Sequence, residues 1–298
     1  MKIRIGYGLG ALQGIGDSEG FASLVDGLEA NGFDSLWLSE RVSGPAPDPI
    51  IGLAIAAGRT RRLKLGTSVQ VLPGRNPALL AKELASLDVL SGGRLLPAFG
   101  LGVASGAEQQ AFGVARGDRA PWFDEALPLI RRMWSEDSVD HEGARFHYEA
   151  LKVLPKPTQQ PLDVWLGGRA PSELRRVGRL GDGWLASFAT PHDCAAGRRV
   201  IDETADAAGR SIDPEHYGSM IFYARDAVPE ALLGLLKGRN PDADPSELVV
   251  EGIANLPRRI EEFLAVGFSK FVVVPFGAPG DWSVELAETA AAVLPLQN

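Results

Sequence analysis

Two glycine-rich segments carry the residue types best suited to hold an anion. One reads FGLGVASGAEQQAFGV, with Gly100, Gly102 and Gly106 crowded behind an apolar run. The other reads VWLGGRAPSELRRVGRLGDGWL, with Gly167 and Gly168 just ahead of a helix expected to start near Pro171. Backbone N–H groups at a glycine-opened helix start can face a phosphate without interference from a Cβ. Proline suits the first helical turn, and Glu173 falls in that turn. Arg169 adds a positive charge that suits either a phosphate or a neighbouring surface acid. Either glycine pair alone is a common tight turn. The ligand reading rests on both opening on one face.

A third group, Gly8, Gly10 and Gly14, follows the first apolar run, and Glu40 stands near the end of the second. This spacing mimics a dinucleotide fingerprint, in which glycines admit a pyrophosphate and an acid binds ribose. That fingerprint requires a helix to begin inside the glycines. Gly14, Gly16, Asp17 and Gly20 oppose an early start, and Ser18 is the expected N-cap, so these glycines are read as a loop.

Such residues need elements to aim them. Apolar or β-branched runs at Lys2–Tyr7, Ser35–Ser39, Leu63–Val69, Arg94–Phe99, Val164–Leu166, Gly183–Phe188, Tyr217–Ala224 and Phe271–Pro275 read as buried parallel strands. Phe21, Leu24, Val25 and Leu28 share one helical face closed by Gly32, and further helices are expected over Asp48–Arg59, Ala78–Leu90 and Asp124–Trp134. The first four strands start roughly thirty residues apart, the length of a βα unit. Eight such units in 298 residues predict an α/β fold, a (β/α)8 TIM barrel whose active site lies at the C-terminal ends of the strands. The segment HEGARFHYEALKVLPKPTQQP predicts a small hairpin inserted between strands four and five, and Lys237–Pro245 a polar loop. No shift in composition marks a boundary, so residues 1–298 are read as a single domain.

Composition narrows the function classes. A hydrophobic share of 45% supports a packed core and excludes global disorder. With 38 acidic against 30 basic residues, a nucleic-acid backbone is not the expected partner. No apolar run is long enough for a membrane span, and the N-terminus reads as a strand rather than a signal peptide. One cysteine, Cys194, cannot form an internal disulfide, which points to a reducing, cytoplasmic setting. His141, His147, His192 and His216 form no cluster with metal-ligand spacing, so no metal is expected. Glycine is in excess, at 35 residues, and is expected at strand exits and helix ends.

Several co-linear motifs carry a family resemblance. GFDSLWLSE, LGTSVQVLPGRNPALLAKELASLDVLSGGRLLPAFGLG, GVARGDRAPWFDEALPLIRRMWSEDSVDHEG, LPKPTQQP and VWLGGRAPSELRRVGRLGDGWL resemble luciferase-like monooxygenases of the bacterial luciferase superfamily, in the expected order. The likeness weakens beyond residue 200, where LPRRIEEFLAVGFSKFVVVPFG still matches. LSGGR, WLGGR and LGDGW look more like the branch that uses the deazaflavin coenzyme F420, with FMN as the alternative cofactor. The resemblance implies a (β/α)8 barrel, a homodimer and a small-molecule substrate. It also implies that Gly100, Gly102 and Val103, together with Gly167, Gly168, Arg169 and Ala170, contribute to phosphate binding. A non-proline cis peptide, matching Ser68–Val69 here, is implied behind the cofactor ring.

The chain departs from the family at the end of strand two. Many F420-using relatives have an Asp-His pair there, whereas this chain has Glu40-Arg41. Arginine stays protonated and is no general acid–base at neutral pH. Arg41 is read either as a contact for an anionic substrate or developing negative charge, or as a salt-bridge partner of Glu40 or another acid. Glu40 and Arg41 are the catalytic candidates. Glu108 reads as a helix-start carboxylate, Trp122 and Phe123 as core or pocket cover, and Phe188, Tyr223 and Phe276 as lining of the substrate mouth. The expected activity is hydride transfer between F420 and a small organic substrate. The alternatives are an FMN-dependent monooxygenase and a catalytically idle flavin-binding relative.

Overall fold

The computed structural model describes residues 1–10 and 13–298. Its elements in chain order are β1 (Arg4–Leu9), α1 (Ser18–Asn31), β2 (Ser35–Leu38), α2 (Pro49–Arg59), β3 (Lys64–Thr67), β4 (Gln70–Val71), α3 (Pro77–Ser91), β5 (Leu95–Leu96), β6 (Ala98–Gly100), α4 (Gly106–Phe112), α5 (Arg119–Ser135), β7 (Val139–Glu142), β8 (His147–Leu151), β9 (Trp165–Leu166), α6 (Pro171–Leu180), β10 (Gly183–Ala186), α7 (Pro191–Ala207), β11 (Tyr217–Ala224), α8 (Glu230–Arg239), β12 (Val249–Glu251), α9 (Leu256–Ala265), β13 (Lys270–Pro275) and α10 (Trp282–Val293). The fold is α/β. A curled parallel sheet runs β4-β6-β9-β10-β11-β13-β1-β2-β3-β5, with β12 added beside β11. β7 and β8 form a separate antiparallel pair with an irregular register between Val139 and His141.

Two of the expected strands are each divided. Of Leu63–Val69 only Lys64–Thr67 is strand, as β3, and β4 follows beyond Ser68–Val69 at Gln70–Val71, while Arg94–Phe99 becomes β5 and β6, parted at Pro97. Proline has no N–H to give to a ladder, which accounts for the second break. The first strand starts at Arg4 and extends to Leu9. Helix α1 is capped by Asp17, whose side chain accepts from the Gly20 N–H at 2.9 Å, so Ser18 is the first helical residue and not the cap. Residues 14–17 are not helical, so the glycine group there lacks the helix start that a dinucleotide fingerprint needs. Ala11 and Leu12, inside that motif, lie outside the described residues. Helix α5 starts at Arg119, well before Asp124, and α8 takes in residues 237–239 of the expected polar loop. The short strand β12 had no expectation behind it.

Strands buried on both faces sort their side chains into two layers. Ile5, Tyr7, Leu36 and Leu38 face the helices, while Trp37, Ala98, Leu185, Met220, Val272 and Val274 pack inside the curl. The glycine excess is placed partly here. A Cβ on Gly66 would collide with the Trp37 indole, and one on Gly183 with the Trp165 indole. Strand glycines therefore make room for two interior tryptophans, a use that the expectation of strand exits and helix ends did not include.

Candidate active site

A cavity of about 300 Å³ opens where the strands end. Ser39 and Glu40 line it after β2, Gly100 to Val103 after β6, and Gly167 to Arg169 after β9. Ser187 and Phe188 follow β10, Met220 and Phe222 project from β11, and Arg239 arrives from the end of α8. Of the residues expected to hold cofactor or do chemistry, Glu40, Ser68, Val69, Gly100, Gly102, Val103, Gly167, Gly168 and Arg169 all line this one space. Arg41 and Ala170 do not.

Val69 forms the floor. The Ser68–Val69 peptide is cis. The Val69 carbonyl accepts from the Glu40 N–H at 3.2 Å, and Ser39 Oγ donates to the Ser68 carbonyl at 2.9 Å. A Cβ on Gly100 would lie 2.6 Å from Val69 Cγ2, and one on Gly167 2.9 Å from Val69 Cγ1. Two flanking strand exits are thus stripped of side chains around a single β-branched residue, leaving space for a flat group above it.

The backbone beyond those glycines carries free donors. Gly102 (φ +79) and Gly168 (φ +115) adopt a region that L side chains rarely enter. The Arg119 guanidinium, on a buried residue, donates to the carbonyls of Leu101 at 3.3 Å and Val103 at 2.8 Å, fixing this loop through its acceptors. Among the described residues no protein acceptor takes the N–H of Gly102, Val103 or Gly168. Arg119 carried no signal in the sequence, since nothing local distinguishes it from the other arginines around α5.

The second glycine turn is partly satisfied by the chain itself. Glu173 Oε2 accepts from the N–H of Arg169 and of Ala170, each at 2.9 Å. Ala170, expected to contribute to phosphate binding, thus has its amide engaged by a carboxylate, and the residue lies outside the cavity lining. Arg169 keeps its guanidinium at the cavity, where Nη2 donates to the Arg239 carbonyl at 3.2 Å. Its partner is therefore a helix-terminal carbonyl, and no carboxylate among the described residues is in ion-pair range of it.

Glu40 and Arg41 part company. The Glu40 carboxylate, 6% exposed, pairs with the Arg75 guanidinium and accepts from the Val71 N–H at 2.6 Å. Burial pushes its pKa above the ordinary carboxylate value, and the pull of Arg75 and Val71 reduces this without reversing it. Arg41 does not pair with Glu40. Its Nε lies 3.9 Å from Glu108 Oε1 and has no hydrogen-bond partner although buried. Glu108 is no free acid either. It accepts from the Ser43 hydroxyl at 2.6 Å, the Ser43 N–H at 3.0 Å and the Val42 N–H at 3.2 Å, anchoring the loop after β2. Burial alone would raise the Glu108 pKa, but these donors and Arg41 hold it below the ordinary value. Arg75 was overlooked although it sits within LPGRNP, a segment already singled out.

The aromatic candidates divide in the same way. Phe188 lines the cavity and stacks on Phe222 at 4.3 Å with planes 12° apart, and Phe276 packs 5.3 Å behind Phe222. Tyr223 points the other way and is fully buried, hydrogen bonding to Tyr7 at 3.0 Å and to Glu285, so it does not line the mouth. Phe123 is core, and Trp122 packs 5.3 Å from Phe146 rather than over the pocket. His141 and His147 lie on β7 and β8, His192 in the first turn of α7, and His216 ahead of β11 beside Trp165. No metal-binding cluster occurs among the described residues.

The family model described as luciferase-like monooxygenase matches residues 7–291. The chain belongs to the luciferase-like monooxygenase family. An F420-dependent glucose-6-phosphate dehydrogenase of Kineococcus radiotolerans is 31% identical over 195 residues, which is 61% of this chain and 57% of that relative. The chain thus matches somewhat over half the length of that curated relative. The structure of the coenzyme F420-dependent tetrahydromethanopterin reductase from Methanopyrus kandleri superposes with a TM-score of 0.80 at 21% identity, covering 100% of both chains. A type II Baeyer-Villiger monooxygenase from Pseudomonas putida, solved with FMN, gives a TM-score of 0.76 at 17% identity over 100% of this chain and 99% of that one. At such identities these two structures establish a shared fold. No helix of the described residues of this family member is long and apolar enough to cross a membrane.

Proposed function

We propose that the chain is a coenzyme F420-dependent oxidoreductase, built as one (β/α)8 barrel over residues 1–298, that moves hydride between the deazaflavin and a small organic substrate. In this reading β3 with β4 and β5 with β6 each act as one barrel strand, and β7–β8 is an insert between strands four and five. The observation that carries the proposal is the joint arrangement of Val69 between two glycines and three free amides, those of Gly102, Val103 and Gly168. The floor suits a flat ring. The amides, with the Arg169 guanidinium beside them, suit a phosphate on the same molecule.

When bound, F420 supplies a ring carbon that gives or takes two electrons as hydride. The chain's own residues do the rest. Ser39 and Ser68 tie the end of β2 to the Val69 segment, so the floor and Glu40 keep one relative position. Glu40 retains a proton to higher pH than an ordinary glutamate, which suits it to pass a proton to or from a substrate oxygen. Arg41 places its positive charge beside Glu108, and the Phe188–Phe222 stack excludes water from one wall. Ala170 acts behind the turn, through Glu173, and not on the ligand.

The FMN alternative draws support from the FMN-bound Pseudomonas putida structure, since FMN also joins a flat ring to a phosphate. Titrating the purified chain with each cofactor separates the two. Saturable binding of F420 with weak binding of FMN is expected, and tight FMN binding without F420 affinity overturns the proposal. Bound F420 with no turnover on a broad panel of alcohols, aldehydes and ketones would favour the catalytically idle alternative.

A homodimer and a cytoplasmic setting complete the reading. Exposed apolar side chains gather on two neighbouring helices, Ile51 and Ile55 on α2 and Leu79 and Leu90 on α3, a surface suited to self-association. The single cysteine, Cys194, is buried and unpaired, as suits a reducing compartment.

A further inference from the structure

Phe188 lies in a backbone conformation that residues with a side chain rarely adopt, and Asn240, 52 positions away, bonds to it there. Its φ is +52°, in the left-handed region that crowds a Cβ. The Phe188 carbonyl accepts from Asn240 Nδ2 at 3.1 Å. The same nitrogen donates to Asp193 Oδ2 at 3.0 Å, an oxygen that also accepts from the Thr190 N–H at 3.0 Å. Thr190 and Asp193 form the cap of α7, so Asn240 ties the turn after β10 to a fixed helix start.

Asn240 is fully buried just past the last residue of α8. Its amide nitrogen carries two hydrogens, and both acceptors are within reach of it. Its Oδ1 has no donor among the described residues, so the burial of this amide is offset through the nitrogen alone. Leucine would suit the burial and an ionised aspartate the shape, but neither can donate. Asn240 does not line the cavity, whereas Phe188, Met220 and Phe222 do.

The end of α8 also reaches the ring of Phe188. The Arg239 guanidinium lies over it, 5.5 Å from its centre, and Phe222 stacks on it at 4.3 Å. Phe188 and Phe276 pack against the apolar cluster of Leu236, Ala243, Leu248 and Val249 that seats α8. One wall of the cavity is therefore placed by a segment that follows β11, although Phe188 itself follows β10.

We propose that Asn240 is a positioning residue for the reaction in this cavity, fixing Phe188 so that a flat apolar group of the substrate lies against Phe188 and Phe222. The proposal rests on the oxidoreductase reading and adds to it a substrate class and the residue that shapes its site. Without the two hydrogen bonds, the Phe188 turn relaxes toward the commoner negative φ and carries the ring off Phe222. The free amides of Gly102, Val103 and Gly168 belong to other strand exits, after β6 and β9, and keep their places.

The test is calorimetric titration of the full chain with indole, a flat apolar probe, in the presence and absence of F420. The wild type is expected to bind indole, and Asn240→Leu and Asn240→Asp each to weaken it at least about tenfold, with F420 affinity kept within about threefold. Thermal melting above the titration temperature shows that the variants fold. Asn240→Ser keeps one hydroxyl donor and should retain part of the indole affinity, and it carries the test if the other two do not fold. Phe188→Ala should weaken indole as well, and adding Asn240→Leu to it should bring no further loss, because the missing hydrogen bonds act through a ring that is gone. Additive losses in the double variant, indole affinity unchanged in the folded Asn240 variants, or a wild type that does not bind indole overturns the proposal. So does a parallel fall in F420 affinity, which would assign Asn240 to the cavity as a whole. If F420 does not bind while the indole results hold, the cofactor reading fails and the positioning of Phe188 by Asn240 stands.

Discussion

Val69 occupies the space that a side chain on Gly100 would need, its Cγ2 lying 2.6 Å from the position of a Cβ built there. Valine is stiff at χ1 and cannot swing aside cheaply. Gly100→Ala should therefore cost about 1–3 kcal/mol of stability by overpacking and weaken cofactor binding at least about tenfold. Val69→Ala in the same chain should recover much of the stability, because the two changes share one space. Urea denaturation of the two single variants and the double variant checks this, and strict additivity would contradict it.

Glu40 is the second point of test. Its pKa is raised in the folded chain, so its contribution to stability is fully present below the ordinary value of 4.5 and is lost as pH rises through the folded value. The stability of the wild type relative to Glu40→Gln should accordingly decline as pH is raised across that window. For activity, Glu40→Gln should lower kcat by roughly 10²–10⁴-fold and remove the pH limb that Glu40 imposes. A residue that only braced Arg75 would lower stability while leaving the pH profile of kcat unchanged.

Much of this was legible beforehand, and the reasons are local. The glycines at 100, 102, 167 and 168 and the Ser68–Val69 bond belong to short co-linear motifs, and the strands that carry them are runs of apolar residues with clear punctuation. What stayed hidden depends on contacts between distant segments. Arg75 reaches Glu40 across 35 positions, and Arg239 arrives from α8. Glu108 reaches back across 65 positions to the Ser43 N–H. The outward turn of Tyr223 follows from strand alternation, since Phe222 beside it faces the cavity, but the parity of that strand is set by packing rather than by its uniformly apolar sequence. Glycines facing Trp37 and Trp165 were equally invisible, because their partners lie on other strands.

The loop after β2 should respond to acid through Glu108. Its pKa is lowered in the folded chain, so the stability it contributes is present above 4.5 and lost as pH falls through the folded value. Glu108→Gln should remove that acid-dependent component and make the loop around Val42 and Ser43 more open to hydrogen exchange at neutral pH. Unchanged protection there would contradict the anchoring role.

Glu173 holds the second glycine turn, and its loss should be felt as a cap is felt. Glu173→Ala removes the acceptor shared by the Arg169 and Ala170 amides and should cost about 1–3 kcal/mol. Glu173→Gln keeps one carbonyl oxygen and should cost less. Thermal unfolding of the two variants measures the difference.

The apolar surface of α2 and α3 offers a test of association. Ile51→Glu combined with Leu79→Glu should shift the chain toward monomer in sedimentation velocity while leaving the core intact, since both side chains are exposed, at 61% and 65%. A wild-type chain that sediments as a monomer would contradict the proposed homodimer.

The central claim is that the free amides of Gly102, Val103 and Gly168 hold the phosphate of a deazaflavin whose ring lies on Val69. It is tested most directly by fluorescence titration with F420 and with the same deazaflavin chromophore lacking its phosphate-bearing tail. F420 should bind at least about tenfold more tightly than the tail-less chromophore, with inorganic phosphate weakening the first and not the second. Equal affinity for the two, or failure of F420 to bind where FMN does, would contradict it.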